Sequence, residues 1–167
     1  MLKVKEETVF LSEKATQLLP KVDFADTFST TNHIDSIQEI TNQIFNTTPS
    51  WVKFLFKIRN SIMGVFGLKT RLPKDYNEDF KVGGYIKFFK IYEIAPSEII
   101  LGANESHLNF RAIITNQNTA SFNVKVTTLV EYNNTLGKIY MTLIKPFHRL
   151  VVKRMVSQAF QPSEKNN

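Results

Sequence analysis

Three consecutive stretches near the end of the sequence decide the fold: HLNFRAIIT (107–115), ASFNVKVTTLVEY (120–132) and LGKIYMTLIKPFHRLVVKRMVSQAF (136–160). The first two alternate apolar and polar residues, which is typical of β-strands with one buried face. The third repeats apolar residues at helical spacing and predicts a long amphipathic helix. An antiparallel sheet closed over such a helix predicts an α+β fold with a small interior cavity.

The earlier part of the chain predicts two shorter helices and three further strands. In chain order these are a strand near residues 20–29, a helix capped by Asp35, a helix from Pro49 or Ser50 to Gly67, a loop over 67–84, and strands over 86–94 and 98–103. We expect an N-terminal arm over residues 1–19, a single domain over 20–160 and a polar tail over 161–167.

Alternation in the last two strands separates an apolar face from a polar one. The apolar face comprises Leu108, Phe110, Ala112, Ile114, Phe122, Val124, Val126 and Val130. The polar face comprises His107, Asn109, Arg111, Asn123, Lys125 and Glu131. We therefore expect one face of the sheet to pack on the terminal helix and the other to contact solvent.

Composition excludes several classes of protein. The chain has 14 Phe and 5 Tyr, which favour a thick core or an apolar pocket, and it has no Cys, which excludes disulfides and thiolate chemistry. The N-terminus has no apolar signal segment and no apolar run reaches the roughly 20 residues of a membrane span, so we expect a cytoplasmic protein without a membrane span.

Charge is uneven along the chain. The net charge is +6, but residues 1–50 carry 4 basic and 7 acidic side chains, whereas residues 51–167 carry 17 basic and 8 acidic ones. The basic part can attract an anionic partner, or it can simply keep the surface solvated. No dense block of Lys and Arg occurs, so we do not expect nucleic-acid binding.

Several of these residues also form a recognisable set of motifs. They are Pro49 and Trp51 at the start of the second helix, Gly102, His107, Leu108 and Phe110 in the strands, and Asn134, Gly137, Tyr140, Ile144, Pro146, Phe147, His148 and Arg149 in the last helix. With these residues, the chain resembles an uncharacterised bacterial family of unknown function that is grouped with the START-like, SRPBCC-type helix-grip proteins. The resemblance covers roughly residues 20–160. It implies an antiparallel sheet wrapped around a long C-terminal helix, with two shorter helices and an interior cavity, and it implies no reaction.

His148 and Tyr140 are the candidate catalytic residues. Pro146 removes the hydrogen bond to the carbonyl of Thr142, and a kink there would bring that carbonyl, the Thr142 hydroxyl and the His148 imidazole together. The imidazole titrates near neutrality and can act as a general acid or base, while Tyr140 can donate a hydrogen bond to an oxyanion. The alternative is that His148 binds a backbone group and that Tyr140 is a core residue.

Candidate ligand-binding residues are His148, Tyr140, Arg111, Phe110 and Phe147. On one strand, His107, Asn109 and Arg111 can hold a carboxylate or phosphate, or can be the solvent side of an amphipathic strand. In the second helix, Trp51 with Lys53, Phe54 and Lys57 can lie at a membrane interface or pack on the sheet.

No sequence motif indicates a metal or a cofactor, because the three histidines are far apart and neither a P-loop nor a GxSxG motif occurs. We interpret the chain first as a binding protein for a small apolar ligand. The alternatives are a proton-transfer enzyme of the cyclase or isomerase type that uses His148, and an interaction module. The interaction module would use the basic stripe of the last helix, formed by Lys138, Lys145, Arg149 and Lys153.

Overall fold

The computed structural model describes residues 2–47, 50–65, 67 and 72–162. The strands are β1 (Lys5–Glu7), β2 (Phe24–Thr30), β3 (Tyr85–Ile86), β4 (Phe89–Ala95), β5 (Glu98–Asn104), β6 (Leu108–Asn116) and β7 (Val124–Tyr132). The helices are α1 (Glu13–Gln17), α2 (Ile37–Asn46), α3 (Ser50–Val65) and α4 (Thr135–Ser157).

All seven strands form one antiparallel sheet in the order β1-β2-β7-β6-β5-β4-β3. Strands β3 to β7 follow one another as a meander, and β2 pairs with β7 to place the first part of the chain beside the last strand. Both α2 and α4 pack on the same side of this sheet. The predicted α+β fold with a helix-grip arrangement is confirmed.

The concave face of the sheet, which faces α2 and α4, carries the main core. Side chains of the sheet such as Phe28, Leu101 and Ile114 pack there with Ile44 of α2 and Val156 of α4, and all five are at most 1% exposed. Burial of such side chains is the main favourable term in folding. The space between the sheet and this part of α4 is therefore occupied by side chains.

The prediction that the other face of the sheet contacts solvent is wrong for its central part. Ile100, Ile113 and Leu129 on that face form a second core with Ala15 and Leu19. The cover comes from the segment expected to be an arm, which pairs through β1 with β2 and packs through α1 on the sheet. Its apolar residues are separated by charged ones, so composition alone did not reveal the buried side.

The stretch predicted as one strand over 86–94 is instead a hairpin. Ile86 pairs with Phe89, so the chain reverses at Lys87 and Phe88. Lys87 has a φ of 55°, in the left-handed region that two-residue hairpin turns require. The turn contains neither Gly nor Asn, and the sequence signal that normally marks such a turn is absent.

The residue that caps α2 differs from the prediction. Ser36, not Asp35, is the N-cap: its hydroxyl accepts a hydrogen bond from Glu39 N, and the Glu39 carboxylate accepts one from Ser36 N. The two hydrogen bonds form a capping box. Asp35 instead accepts hydrogen bonds from Asn32 and Gln43.

The apolar stripe predicted for α3 lies outside the described side chains. It comprises Trp51, Leu55, Ile58 and Ile62. Pro49, predicted as a possible start of this helix, is also outside the described residues.

The first turn of α4 is fixed to the turn between β5 and β6. Asn134 caps the helix by accepting from Gly137 N at 3.0 Å, and its amide donates to the Ser106 carbonyl at 3.0 Å. Asn133 N donates to the His107 carbonyl at 3.0 Å. Gly137 lies so close that a Cβ there would be 1.9 Å from the His107 carbonyl oxygen. We call this set of contacts the helix latch.

We predict that Gly137→Ala destabilises the protein by about 1–3 kcal/mol, because the added methyl group overpacks against backbone that cannot move away easily. The matched control is Gly64→Ala in α3, where a Cβ would meet nothing within 4 Å. That change removes a helical glycine and should be neutral or stabilising by up to about 1 kcal/mol. Urea unfolding followed by circular dichroism measures both, and equal stability of the two variants would contradict the latch.

Candidate functional site

Open space lies at two edges of the described structure. One cleft of about 430 Å³ lies between α3 and the β3–β4 hairpin. A second cleft of about 330 Å³ lies between the β1–β2 edge and α4. We call them the hairpin cleft and the edge cleft.

The hairpin cleft combines apolar and basic side chains. Its lining residues are Lys53, Lys57, Asn60, Leu72, Tyr76, Lys87 and Phe88. Leu72 and Phe88 are 65% and 56% exposed, so much of their apolar surface faces the open space. Large apolar side chains around a concavity are a common feature of sites for small organic molecules.

A polar network holds the wall of the hairpin cleft in place. Asp75 accepts hydrogen bonds from Lys90 at 2.6 Å and from Tyr85 at 3.1 Å, and the Tyr85 ring packs against the ring of Tyr76 at 5.2 Å. The hydrogen bond from Lys90 is the main reason that the pKa of Asp75 lies below its ordinary value. The loop that carries Tyr76 is thereby tied to the hairpin.

The ammonium groups of Lys53, Lys57 and Lys87 line the hairpin cleft. The described lining residues include no Asp or Glu. Burial, followed by repulsion from Lys53, lowers the pKa of Lys87. Lys87 is partly buried at the tip of the hairpin, whereas Lys53 and Lys57 are exposed one turn apart on α3. The cleft therefore has a positive rim above an apolar wall.

Near the edge cleft, a buried carboxylate meets a histidine. Asp26 lies on β2 between Phe24 and Phe28, on the concave face, and is 5% exposed. His148 of α4 places Nε2 3.3 Å from Asp26 Oδ2, and its ring packs edge-on against Phe24 with centroids 5.7 Å apart. Within the described residues, neither oxygen of Asp26 accepts a hydrogen bond of good geometry. His148 is thus the charged or polar group that partners this buried acid.

The edge cleft lies beside Asp26, whose two carboxylate oxygens are themselves buried. Its lining residues are Glu6, Glu7, Val9, Asp23, Phe24, Ala25, Asp26, Lys145 and Arg149. Arg149 pairs with Glu6, and the Lys145 ammonium lies 5.3 Å from the centre of the Phe24 ring. These contacts tie β1 and β2 to the middle of α4 and frame the Asp26 carboxylate.

Of the five predicted site residues, the structure brings Phe110 and Tyr140 to one apolar cluster and keeps the others apart. Tyr140 is 5% exposed and packs edge-on against His107, with ring centroids 4.9 Å apart. It precedes His148 by eight residues, about 12 Å along the helix. Phe110 packs against Phe89 in the core, at 5.6 Å between ring centroids, and Phe147 is 46% exposed. His148 alone of these faces the buried acid.

Arg111 lies on the face of the sheet opposite to Phe110. It is 7% exposed, its guanidinium stacks 4.1 Å from the Tyr92 ring centre, and it donates to Asn104 Oδ1 at 2.9 Å. The expectation that His107 and Arg111 lie on a solvated face is wrong, since both are buried. Arg111 is therefore remote from the side of the sheet that contacts α4.

The expected cluster around Pro146 does not form. The Thr142 hydroxyl donates to the Lys138 carbonyl at 2.8 Å, on the exposed side of α4, while His148 turns toward β2. A Thr hydroxyl commonly bonds the carbonyl one turn earlier. Proline at position 146 is accommodated within one continuous helix from Thr135 to Ser157.

Sequence reasoning missed Asp26 and Lys87 as site residues. Asp26 had a detectable signal, because FADTFST (24–30) places a carboxylate in phase with Phe24 and Phe28 on an otherwise apolar face. An acid at such a position needs a partner. No sequence pattern indicated Lys87, since its place in the hairpin cleft depends on a hairpin turn that contains neither Gly nor Asn.

Within the described residues, no group of three or more His, Asp or Glu side chains is arranged to hold a metal ion. None of the described helices is both long and apolar enough to cross a membrane.

We predict that the Asp26–His148 contact stabilises the fold asymmetrically. His148→Gln should lower the free energy of unfolding by about 2 kcal/mol, because it removes the partner of a buried carboxylate. Removing one partner of a fully buried ion pair costs more, but the His148 side chain is 20% exposed. In the Asp26→Asn background the same change should cost under about 1 kcal/mol, since no buried charge remains. Equal costs in both backgrounds, measured by chemical denaturation, would rule out the coupling.

Comparison with known proteins identifies the family but not an activity. No curated protein and no solved structure gives a significant match to this chain. A family model described as "Protein of unknown function (DUF2867)" matches residues 18–155, from β2 and the segment before it to near the end of α4. This range includes both the helix latch and the Asp26–His148 pair. The chain belongs to the DUF2867 family of proteins of unknown function.

Proposed function

We propose that this domain binds a small, largely apolar ligand, and that the ligand occupies the hairpin cleft. The observation that carries the proposal is the exposure of Leu72 and Phe88, at 65% and 56%, around an open volume of about 430 Å³. This volume lies in the range of roughly 300–1,000 Å³ that ligand sites occupy. The interior between the sheet and α4, by contrast, is largely taken up by core side chains.

The lining of the hairpin cleft suits a ligand with a polar end. Phe88, Leu72 and the Tyr76 ring supply the apolar surface, and burial of a Phe side chain contributes roughly 1.5–3 kcal/mol when it is complete. Asn60 adds an amide to the lining. The motif resemblance and the helix-grip arrangement support a further proposal, that the family belongs with the START-like, SRPBCC-type proteins.

A second candidate function is proton transfer by His148. It is favoured by one observation, the 3.3 Å separation of His148 Nε2 from the buried Asp26 carboxylate beside the edge cleft. A carboxylate next to an imidazole holds the ring in one orientation, so that its other ring nitrogen can accept a proton from a substrate. In this arrangement Asp26 is the positioning residue and His148 the base.

The ligand proposal predicts that 1-octanol, a neutral probe, binds in the hairpin cleft. In ¹H–¹⁵N NMR titrations, shift changes should centre on Leu72, Tyr76 and Phe88. Phe88→Ser should weaken binding about fivefold, because half of the ring's surface is available to the ligand. The control is Ile34→Ser, at an apolar residue that is 65% exposed and does not line the cleft, which should leave the affinity unchanged. Shift changes elsewhere, or none, would disprove the assignment.

The proton-transfer candidate predicts base-catalysed ring opening of 5-nitrobenzisoxazole, a reaction that needs only proton abstraction. His148→Gln should lower the rate by at least about 100-fold, the usual contribution of a positioned base. Asp26→Asn should lower it less, because this change removes the group that orients the imidazole and leaves the base in place. The control is His33→Gln, at an exposed histidine outside the edge cleft. A rate equal to that of buffer, or one insensitive to His148→Gln, would reject this function.

A further inference from the structure

The outer side of α4 carries a row of exposed apolar side chains. Ile139, Leu143, Phe147 and Leu150 are 46%, 49%, 46% and 58% exposed. Their spacing of three or four residues places them on one side of the helix, over about 17 Å of its length. We call these four residues the outer stripe. None of them belongs to the core clusters of the described residues, which α4 joins through its opposite side.

The charges of α4 are all of one sign. Thr135–Ser157 contains five Lys or Arg residues and no Asp or Glu. Lys153 and Arg154 are exposed and follow Leu150 by three and four residues, so they flank the outer stripe at its C-terminal end. Arg149 pairs with Glu6, whereas neither Lys153 nor Arg154 is in an ion pair within the described part of the chain. The exposed apolar row therefore continues into exposed positive charge.

This combination of apolar and positive surface favours one kind of partner. A second copy of α4 packed on the first would bring five positive charges from each helix together, with no carboxylate on either to balance them. A nucleic acid would attract the charges, but its phosphate backbone would leave the apolar side chains in water. An anionic lipid bilayer accepts apolar side chains at its acyl boundary and basic side chains among its head groups.

We propose that the outer side of α4 binds an anionic membrane surface. The outer stripe enters the boundary between head groups and acyl chains, and Lys153 and Arg154 contact the lipid phosphates. Such a helix lies in the plane of the interface. Each basic side chain near an anionic surface strengthens the binding, and burial of the apolar side chains adds to it. This interaction uses neither the hairpin cleft nor the Asp26–His148 pair, so it goes beyond the functions proposed above.

The test is co-sedimentation of the full chain with lipid vesicles. Binding should be at least about tenfold tighter to phosphatidylcholine vesicles that contain about 30% phosphatidylglycerol, an anionic lipid, than to phosphatidylcholine alone. The difference should shrink between about 50 mM and 500 mM NaCl, because salt screens exposed charges. In NMR spectra recorded with a spin-labelled lipid, line broadening should centre on Ile139, Leu143 and Leu150.

Substitution in the outer stripe measures the apolar contribution. Leu143→Gln with Leu150→Gln should weaken binding to the anionic vesicles about tenfold, because it removes two apolar side chains from the membrane boundary. The matched control is Ile34→Gln with Val82→Gln, at residues outside α4 that are 65% and 61% exposed. This control should bind as tightly as the unchanged protein.

Substitution of the basic residues measures the contribution of charge. Lys153→Gln with Arg154→Gln should weaken binding to the anionic vesicles about tenfold and should leave binding to neutral vesicles unchanged. The matched control is Lys74→Gln with Lys81→Gln, which removes the same charge from the loop before β3. All of these changes are at exposed side chains, so circular dichroism should show the same fold in every variant.

The outcomes distinguish a membrane from the other partners. Equal binding to neutral and anionic vesicles, or no binding to either, would overturn the proposal. Binding that survives Leu143→Gln with Leu150→Gln would also overturn it, because the attraction would then be electrostatic alone. A dimer in sedimentation velocity that dissociates on the same leucine changes would assign the outer stripe to a second copy in place of the membrane. Duplex DNA that binds more tightly than the vesicles, through Lys153 and Arg154, would assign the basic residues to a nucleic acid instead.

Discussion

The close approach of α4 to the turn between β5 and β6 determines where the rest of the helix lies. The carbonyl of His107 accepts from Asn133 N, and Gly137 leaves no room for a side chain between that carbonyl and the helix. Because an α-helix is stiff over 23 residues, fixing its first turn sets the position of every later one. His148 is one of these later residues, and its Nε2 lies 3.3 Å from Asp26 Oδ2 of β2. The motif residues Asn134, Gly137 and His107 are thus structural in the first place, and they position the site indirectly.

The latch also places Tyr140 in the interior of the fold. Its ring packs on the buried His107, one turn after Gly137, and it lies in the same small core as Leu108 and Met141. A buried aromatic pair of this kind stabilises by roughly 0.5–1.5 kcal/mol beyond the area that it buries.

The sequence predicted the fold more completely than the candidate site, and particular residues show why. Alternation in β6 and β7 and the helical period of α4 are long patterns with one dominant cause, burial of one face, so they are reliable. Arg111 had the same alternation but is buried, because its guanidinium stacks on Tyr92 and donates to Asn104, and alternation does not predict these contacts. The position of Lys87 depends on a hairpin turn that contains neither Gly nor Asn, so the sequence did not predict it. Contacts between distant parts of the chain leave no periodic signal, and both clefts are built from such contacts.

The strand order places the two clefts at opposite edges of the sheet. The edge cleft lies at β1 and β2, and the hairpin cleft lies at β3 and β4, so four strand spacings separate β2 from β4. At about 4.8 Å each, these amount to roughly 19 Å along the sheet. A molecule as small as 1-octanol is shorter than this separation, so from the hairpin cleft it does not reach His148. The ligand binding and the proton transfer that we propose therefore belong to separate places in the fold, and a molecule in one cleft can influence the other only through the sheet and α4.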